Sequence, residues 1–305
     1  MDIQQRLRNA MDSSSGIFLG KDLQVKLAFI ALISKGHLLI EDIPGVGKTT
    51  LVYLLSHIFG LKLSRIQFTN DLLPSDIIGT SIFNKEESVF VFNRGPIFSQ
   101  LILADELNRA SSKTQSALLQ AMEEKYITFD NCEYELDDPF VVIATQNPIN
   151  QIGTNPLPES QLDRFFMALT LGLPSREYEK KIIQGLKVRE QIDTMHSFMN
   201  LDDLKLIHSK VLGISVSEEL MEFLMDFLAR LRKECVDGEK LSVRAGQDLY
   251  LAMKACAFLE GRDFATHDDL KFVCPYIISH RLNSSLGLKD GQSKVTNIVN
   301  SMPVR

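Results

Sequence analysis

A chain of 305 residues, 45% hydrophobic and 24% charged, can bury one large core or two smaller ones, and its composition excludes a disordered polypeptide. Its net charge of −6 is no electrostatic signature of a nucleic-acid partner, although a locally basic surface is compatible with an acidic total. The four cysteines (Cys132, Cys235, Cys256 and Cys274) form no CxxC pair. They are expected to be reduced, mostly buried thiols of a cytoplasmic protein, with no metal site. The segment Met1–Ser15 has no apolar run of the signal-peptide type, and nothing approaches the ~18 consecutive apolar residues of a membrane span.

In chain order, His37–Ile40 is the first short apolar run and reads as a buried strand. Pro44-Gly45-Val46-Gly47-Lys48-Thr49 follows it, and Leu51, Leu54, Leu55 and Ile58 then recur at helical spacing. Strand, glycine loop and helix is the context a phosphate-binding loop requires. Glycines let backbone N–H groups turn inward as an anion nest, and the helix N-terminus adds its positive dipole end. Lys48 is expected to reach the β- and γ-phosphates of ATP, and Thr49 to ligate Mg²⁺. The nucleotide-contacting set is then Pro44, Gly45, Val46, Gly47, Lys48, Thr49 and Thr50. The strict motif has glycine six residues before the lysine, where this chain has Asp42.

Ile66–Phe68 is a second strand. Two apolar arms from Ile77 to Phe92 flank the polar stretch Asn84–Ser88 and read as a hairpin. Leu101–Ala104 is the third strand and ends in Asp105-Glu106. Acids at the carboxyl end of a central strand lie at the ligand edge of an open α/β sheet. Asp105 can hold Mg²⁺ through its water shell, and Glu106 can polarise the attacking water as general base. A second hairpin spans Tyr126–Leu136 and turns at Asp130-Asn131. Phe140–Ile143 is a fourth strand, followed by Ala144-Thr145-Gln146-Asn147, whose terminal amide would lie beside the same γ-phosphate. Phe166–Leu169 is the fifth.

After Pro174 the strand signal stops. Ser217-Glu218-Glu219 opens a helix carrying Leu220, Phe223, Leu224, Phe227, Leu228 and Leu231. Leu249, Met253 and Cys256 mark a second, Thr266 with Asp269 caps a third, and Val295–Met302 forms a short last one. The expected fold is α/β: a nucleotide-binding core with a parallel sheet and inserted β-hairpins over 1–173, then an all-helical lid over 174–305.

Longer blocks resemble the MoxR branch of the AAA+ ATPases. They are Gln67-Phe68-Thr69 with Asp71–Asp76, Gly95–Phe98, Asp105–Ser111, Lys113–Leu119, Ala121–Glu124, Ala144–Pro148 and Gln161–Phe165. The resemblance runs from about Gly20 to Val304. It implies that Asn147 is the sensor 1 amide and that Arg164 is the arginine finger offered to a neighbouring subunit's ATP. It also implies that Arg244 is the sensor 2 arginine of the lid and contacts the nucleotide. Arginine's fixed fork of donors suits phosphate oxygens, as these roles need. Arg109 is a second candidate for the subunit interface. Ile17–Gly20 would bracket the adenine ring. Two positions depart from the pattern: Gly20-Lys21 replaces Gly-Gln, and Ser242-Val243 replaces Ser-Pro before Arg244.

The resemblance further implies a homo-oligomeric ring, a hexamer among relatives. Its work would be chaperone-like remodelling or activation of a protein client, such as one with a von Willebrand factor A domain. A nucleic-acid motor is the alternative. Against it, Asn84–Ser88 carries Lys85 but also Glu86 and Glu87, and Tyr126–Asp138 is acidic without a Lys or Arg.

Overall fold

The computed structural model describes residues 2–147, 155–195, 197–234, 241–282 and 287–303. Helices α1 (Ile3–Ile17) and α2 (Asp22–Ile33) lead into strand β1 (Leu38–Glu41), helix α3 (Lys48–Ile58), strand β2 (Leu63–Gln67) and helix α4 (Pro74–Ile78). The first hairpin pairs β3 (Gly79–Asn84) with β4 (Val89–Arg94). Then come β5 (Leu101–Asp105), α5 (Ser112–Glu124), the second hairpin of β6 (Tyr126–Phe129) and β7 (Cys132–Glu135), β8 (Val141–Gln146), α6 (Glu159–Leu162) and β9 (Met167–Leu169). The rest is helical: α7 (Arg176–Ile183), α8 (Val188–Thr194), α9 (Leu201–Leu212), α10 (Glu218–Glu234), α11 (Val243–Leu259), α12 (His267–Ile278) and α13 (Leu288–Asn300).

The five predicted apolar runs form one parallel sheet in the order β2-β5-β8-β1-β9. Alternate residues of each strand enter different cores. Leu38, Ile40, Leu101, Leu103, Val141 and Ile143 pack with α2, α3 and the lid helices. Leu39, Ile102, Ala104, Val142 and Ala144 pack with Leu118, Leu119 and Met122 of α5. Burial on both faces is why the runs are continuously apolar rather than alternating. The parallel register aligns Gln67 with Asp105 and Glu41 with Gln146. The segments leaving β1, β5 and β8 therefore emerge at one edge, which is the geometry a shared site needs.

Some expectations need correction. Ile77 and Ile78 close a helical turn that begins at Pro74, so the first hairpin starts only at Gly79. Phe68 lies outside its strand, which extends the other way to Leu63. Cys256 and Cys274 are buried, but Cys132 is exposed beside the Asp130-Asn131 turn, and Cys235 lies outside the described residues. The last helix begins at Leu288, seven residues before the predicted start, and ends at Asn300, short of Met302. In α1 the burial of Ile3, Leu7, Ala10 and Ser14 is helical in spacing, but two of these four are too weakly apolar to signal it.

Candidate functional site

Gly45 and Gly47 have φ of 85° and 100°, the left-handed conformation glycine adopts without strain. A Cβ on Gly47 would also stand 3.1 Å from the Phe18 ring. The predicted Ile17–Gly20 segment thus lies against the loop through Phe18, yet none of its four residues lines the phosphate cleft. Lys48 opens α3, is buried, and donates to the Asp42 carbonyl at 2.7 Å. Burial lowers its pKa, opposed by the charges of Asp105, Asp42 and Glu106.

Asp42 has a second bond: its carboxylate accepts from the Gly172 N–H. Lys21 donates to the Leu171, Gly172 and Leu173 carbonyls. The start of the phosphate loop and the stretch leading to the lid are therefore tied at one residue.

Asp105 accepts from Thr145 Oγ1 at 2.7 Å through Oδ1 and from Arg65 Nη2 at 2.7 Å through Oδ2. The Glu106 N–H donates to the same Thr145 Oγ1 at 2.9 Å. Glu106 has φ 57°, unusual for a side chain of its size, and this kink turns the chain sharply at the strand end. Its carboxylate accepts from Gln67 Nε2 at 3.1 Å and from Arg109 Nη1 at 2.8 Å. Arg109 thus pairs with the candidate base of its own chain. Asn147 is buried, and its carbonyl accepts from Asn108 Nδ2. Asn147 Oδ1 has no hydrogen-bond partner among the described residues. Buried polar atoms are normally satisfied, so such an atom beside a cleft marks a place for a polar guest.

Pro44, Gly45, Gly47, Lys48, Thr49, Thr50, Asp105, Glu106 and Asn147 line one cavity of about 420 Å³, with Arg65 and Gln67 completing it. Among the predicted loop residues Val46 is buried and does not line it. Backbone N–H groups, one lysine, a hydroxyl and two carboxylates suit a polyphosphate, and the oxygen donors of Thr49 and Asp105 suit Mg²⁺.

Arg164 and Arg244 are elsewhere. Both bond Glu123: Arg164 Nη2 at 3.0 Å and Arg244 Nη2 at 2.6 Å. Arg164 also donates to the Leu119 carbonyl at 2.6 Å. They line a second cavity of about 290 Å³ with Lys35, His37, Lys125 and Asp248, and it shares no lining residue with the first. Arg244, expected as the sensor 2 arginine that contacts the nucleotide, does not line the phosphate-loop cleft of its own chain.

This pair is held from behind. The buried Arg281 pairs with Asp163 and Asp248, and Asp163 accepts from the Ser242 hydroxyl that caps α11. Burial raises the Asp248 pKa to about 6 despite Arg281. Burial likewise holds Lys125 down at about 8 and His37 at about 3.

Sequence reasoning gave no role to Arg65, Asn108 or Glu123. Only Arg65 left a signal, since it stands two residues before Gln67 and so shares its strand face.

The ATPase family associated with various cellular activities (AAA) matches residues 37–167, and the AAA lid domain matches 229–300. The chain is 38% identical to the uncharacterised protein YeaC of Bacillus subtilis, over 92% of this chain and 88% of that one. It is 35% identical to Chaperone MoxR1 of Mycobacterium tuberculosis, over 90% and 75%. A crystal structure of a Cytophaga hutchinsonii protein assigned as an ATPase superposes with a TM-score of 0.85 at 33% identity, covering 99% of this chain and 97% of that one.

Proposed function

Because the chain belongs to the MoxR family of AAA+ ATPases, we propose that it hydrolyses ATP with Mg²⁺ in a homo-oligomeric ring and spends that energy remodelling a protein client. The observation that carries this reading is the meeting of Lys48, Thr49, Asp105, Glu106 and Asn147 around one cleft. The backbone of Gly45–Thr50 and the Lys48 ammonium would hold the phosphates, Gly47 allowing the close approach. Mg²⁺, held through Thr49 and Asp105, would neutralise charge on the phosphate oxygens. Glu106 takes the proton of the attacking water, and the free Asn147 Oδ1 accepts a hydrogen bond from that water.

The separation of Arg164 and Arg244 from this cleft supports a site completed by a second copy. Both arginines are partly exposed, and Glu123 keeps them side by side. An arginine supplied in trans stabilises the charge of the transition state and is worth about 10³-fold or more. A hexamer is the ring we propose, and a protein with a von Willebrand factor A domain is the proposed client. Among the described residues no helix is long and apolar enough to cross a membrane, in keeping with the proposed place in the cytoplasm.

The test is ATP hydrolysis against protein concentration for the wild type, Glu106→Gln and Arg164→Ala. The expected result is specific activity that rises with concentration and is lost in both variants. Activity that is independent of concentration and survives Arg164→Ala would overturn the shared site.

A further inference from the structure

Arg65 stands on β2, the edge strand, opposite Leu103 in the parallel register, while Gln67 stands opposite Asp105. Residues two apart on a strand share a face, so both project toward the phosphate loop. There Arg65 Nη2 donates to Asp105 Oδ2 at 2.7 Å and to Gln67 Oε1 at 3.2 Å. The other Asp105 oxygen accepts from Thr145. One oxygen of the carboxylate assigned to Mg²⁺ is thus engaged by a cation of the chain's own.

The two partners differ in access. The Arg65 side chain is 54% exposed and that of Asp105 14%, so the guanidinium reaches in from solvent while the carboxylate stays fixed. Ion pairs with one half-exposed arm are held weakly enough to exchange. A divalent cation competes well for such an oxygen, because it brings twice the charge in a smaller volume.

We propose that Arg65 is a positioning residue that serves Asp105 as a substitute counter-cation and gives up Oδ2 to Mg²⁺ when nucleotide enters. Pairing with Arg65 and binding of the metal then exclude each other at that oxygen. The inference rests on the nucleotide reading of the cleft given above. It also reaches the general base, since Asp105, Arg65, Gln67 and Glu106 form one run of hydrogen bonds. Removing Arg65 therefore acts in opposite directions under two conditions. Without metal, the phosphates meet an unmasked Asp105 and binding weakens. With metal, a competitor has gone and less Mg²⁺ is needed.

The experiment measures binding of a fluorescent, non-hydrolysable β,γ-imido analogue of ATP, in excess EDTA and across a Mg²⁺ titration. It compares the wild type, Arg65→Ala, Arg65→Lys and Lys48→Ala. For Arg65→Ala the half-saturating Mg²⁺ is expected to fall about fivefold, and the ratio of affinities with and without Mg²⁺ to widen by about the same factor. Arg65→Lys keeps a point charge without the fork and is expected to shift the same way, but less. It also carries the test if Arg65→Ala does not fold, which thermal melting without nucleotide reveals. Affinities that fall equally with and without Mg²⁺, at an unchanged half-saturating Mg²⁺, would overturn the proposal and leave Arg65 a structural support of β2. Lys48→Ala separates the two levels: if it binds the analogue as the wild type does, the nucleotide reading fails and this inference with it.

Discussion

The phosphate-loop cleft and the arginine cleft differ in what one chain supplies to them. Around the first stand a glycine nest, a lysine, hydroxyls, two carboxylates and an unpartnered amide oxygen. Around the second are cations without a phosphate loop. Lys35, Lys125, Arg164 and Arg244 line it with the acids Glu123 and Asp248, Lys35 also pairing with Asp138, and Glu123 is held below the usual carboxylate range chiefly by its bond to Arg244. In the proposed ring, the arginines of this cleft would leave the exposed Glu123 for a neighbour's phosphates. The two clefts read as complementary halves, which a head-to-tail arrangement of identical chains would bring together.

The strongest way to break this comparison is to mix two inactive variants. Glu106→Gln lacks the proposed base and Arg164→Ala the proposed finger, and each alone is expected to lose at least ~10²-fold in turnover. Mixed in equal amounts, they should recover activity approaching about a quarter of wild type, because a quarter of randomly paired interfaces carry both intact residues. No recovery would show that the two residues serve one chain.

Arg244→Ala sharpens the comparison. If Arg244 serves a neighbour, turnover falls by about 10²- to 10³-fold while nucleotide affinity stays within roughly threefold. A large loss of affinity in dilute protein would instead return Arg244 to its own chain's nucleotide.

Acid distinguishes the clefts by their histidines. His37 lines the arginine cleft and His280 is buried against the Phe165 carbonyl beside Arg164, whereas no histidine lines the phosphate-loop cleft. Burial lowers both pKa values from 6.5 to about 3, so below pH 6.5 the unfolded chain binds protons that the folded chain refuses. The stability they contribute is complete above pH 6.5 and is lost as pH falls toward 3. The two sites together give a slope of about 2.7 kcal/mol per pH unit inside that window. Denaturant melts between pH 7 and 5 should show it, with His280→Gln removing about half.

The smallest effect belongs to Glu123→Gln. It removes two half-exposed ion pairs and should shift the melting temperature by less than about 3 °C in calorimetry. A larger loss would make Glu123 a structural anchor rather than a replaceable one.

What the sequence revealed follows the range of the forces involved. The phosphate loop and the five strands are local patterns, a glycine spacing and short apolar runs, and each was found from them, β2 with its bounds shifted to Leu63–Gln67. The Asp130-Asn131 turn was legible because these two residues tolerate the positive φ that both adopt there. The partnership of Arg65 with Asp105 was not legible, because it depends on β2 lying beside β5 across 40 residues of chain. Nor was the meeting of Arg164 and Arg244 at Glu123, which needs the start of the lid helix α11 to reach the end of α5. Arg281 and its two aspartates tie α11 to the Asp163 segment beside Arg164, a cluster with no short-range signature.

Asp42, which departs from the strict glycine motif, gives the chain a mechanical coupling. Its carbonyl receives the Lys48 ammonium and its carboxylate grips Gly172, whose neighbours are pinned by Lys21. The residue that holds the lysine is thus the one that anchors the strap running into the lid. The loop and the strap share a single pin, and the register between the phosphate cleft and the chain entering the helical half is set at that one residue.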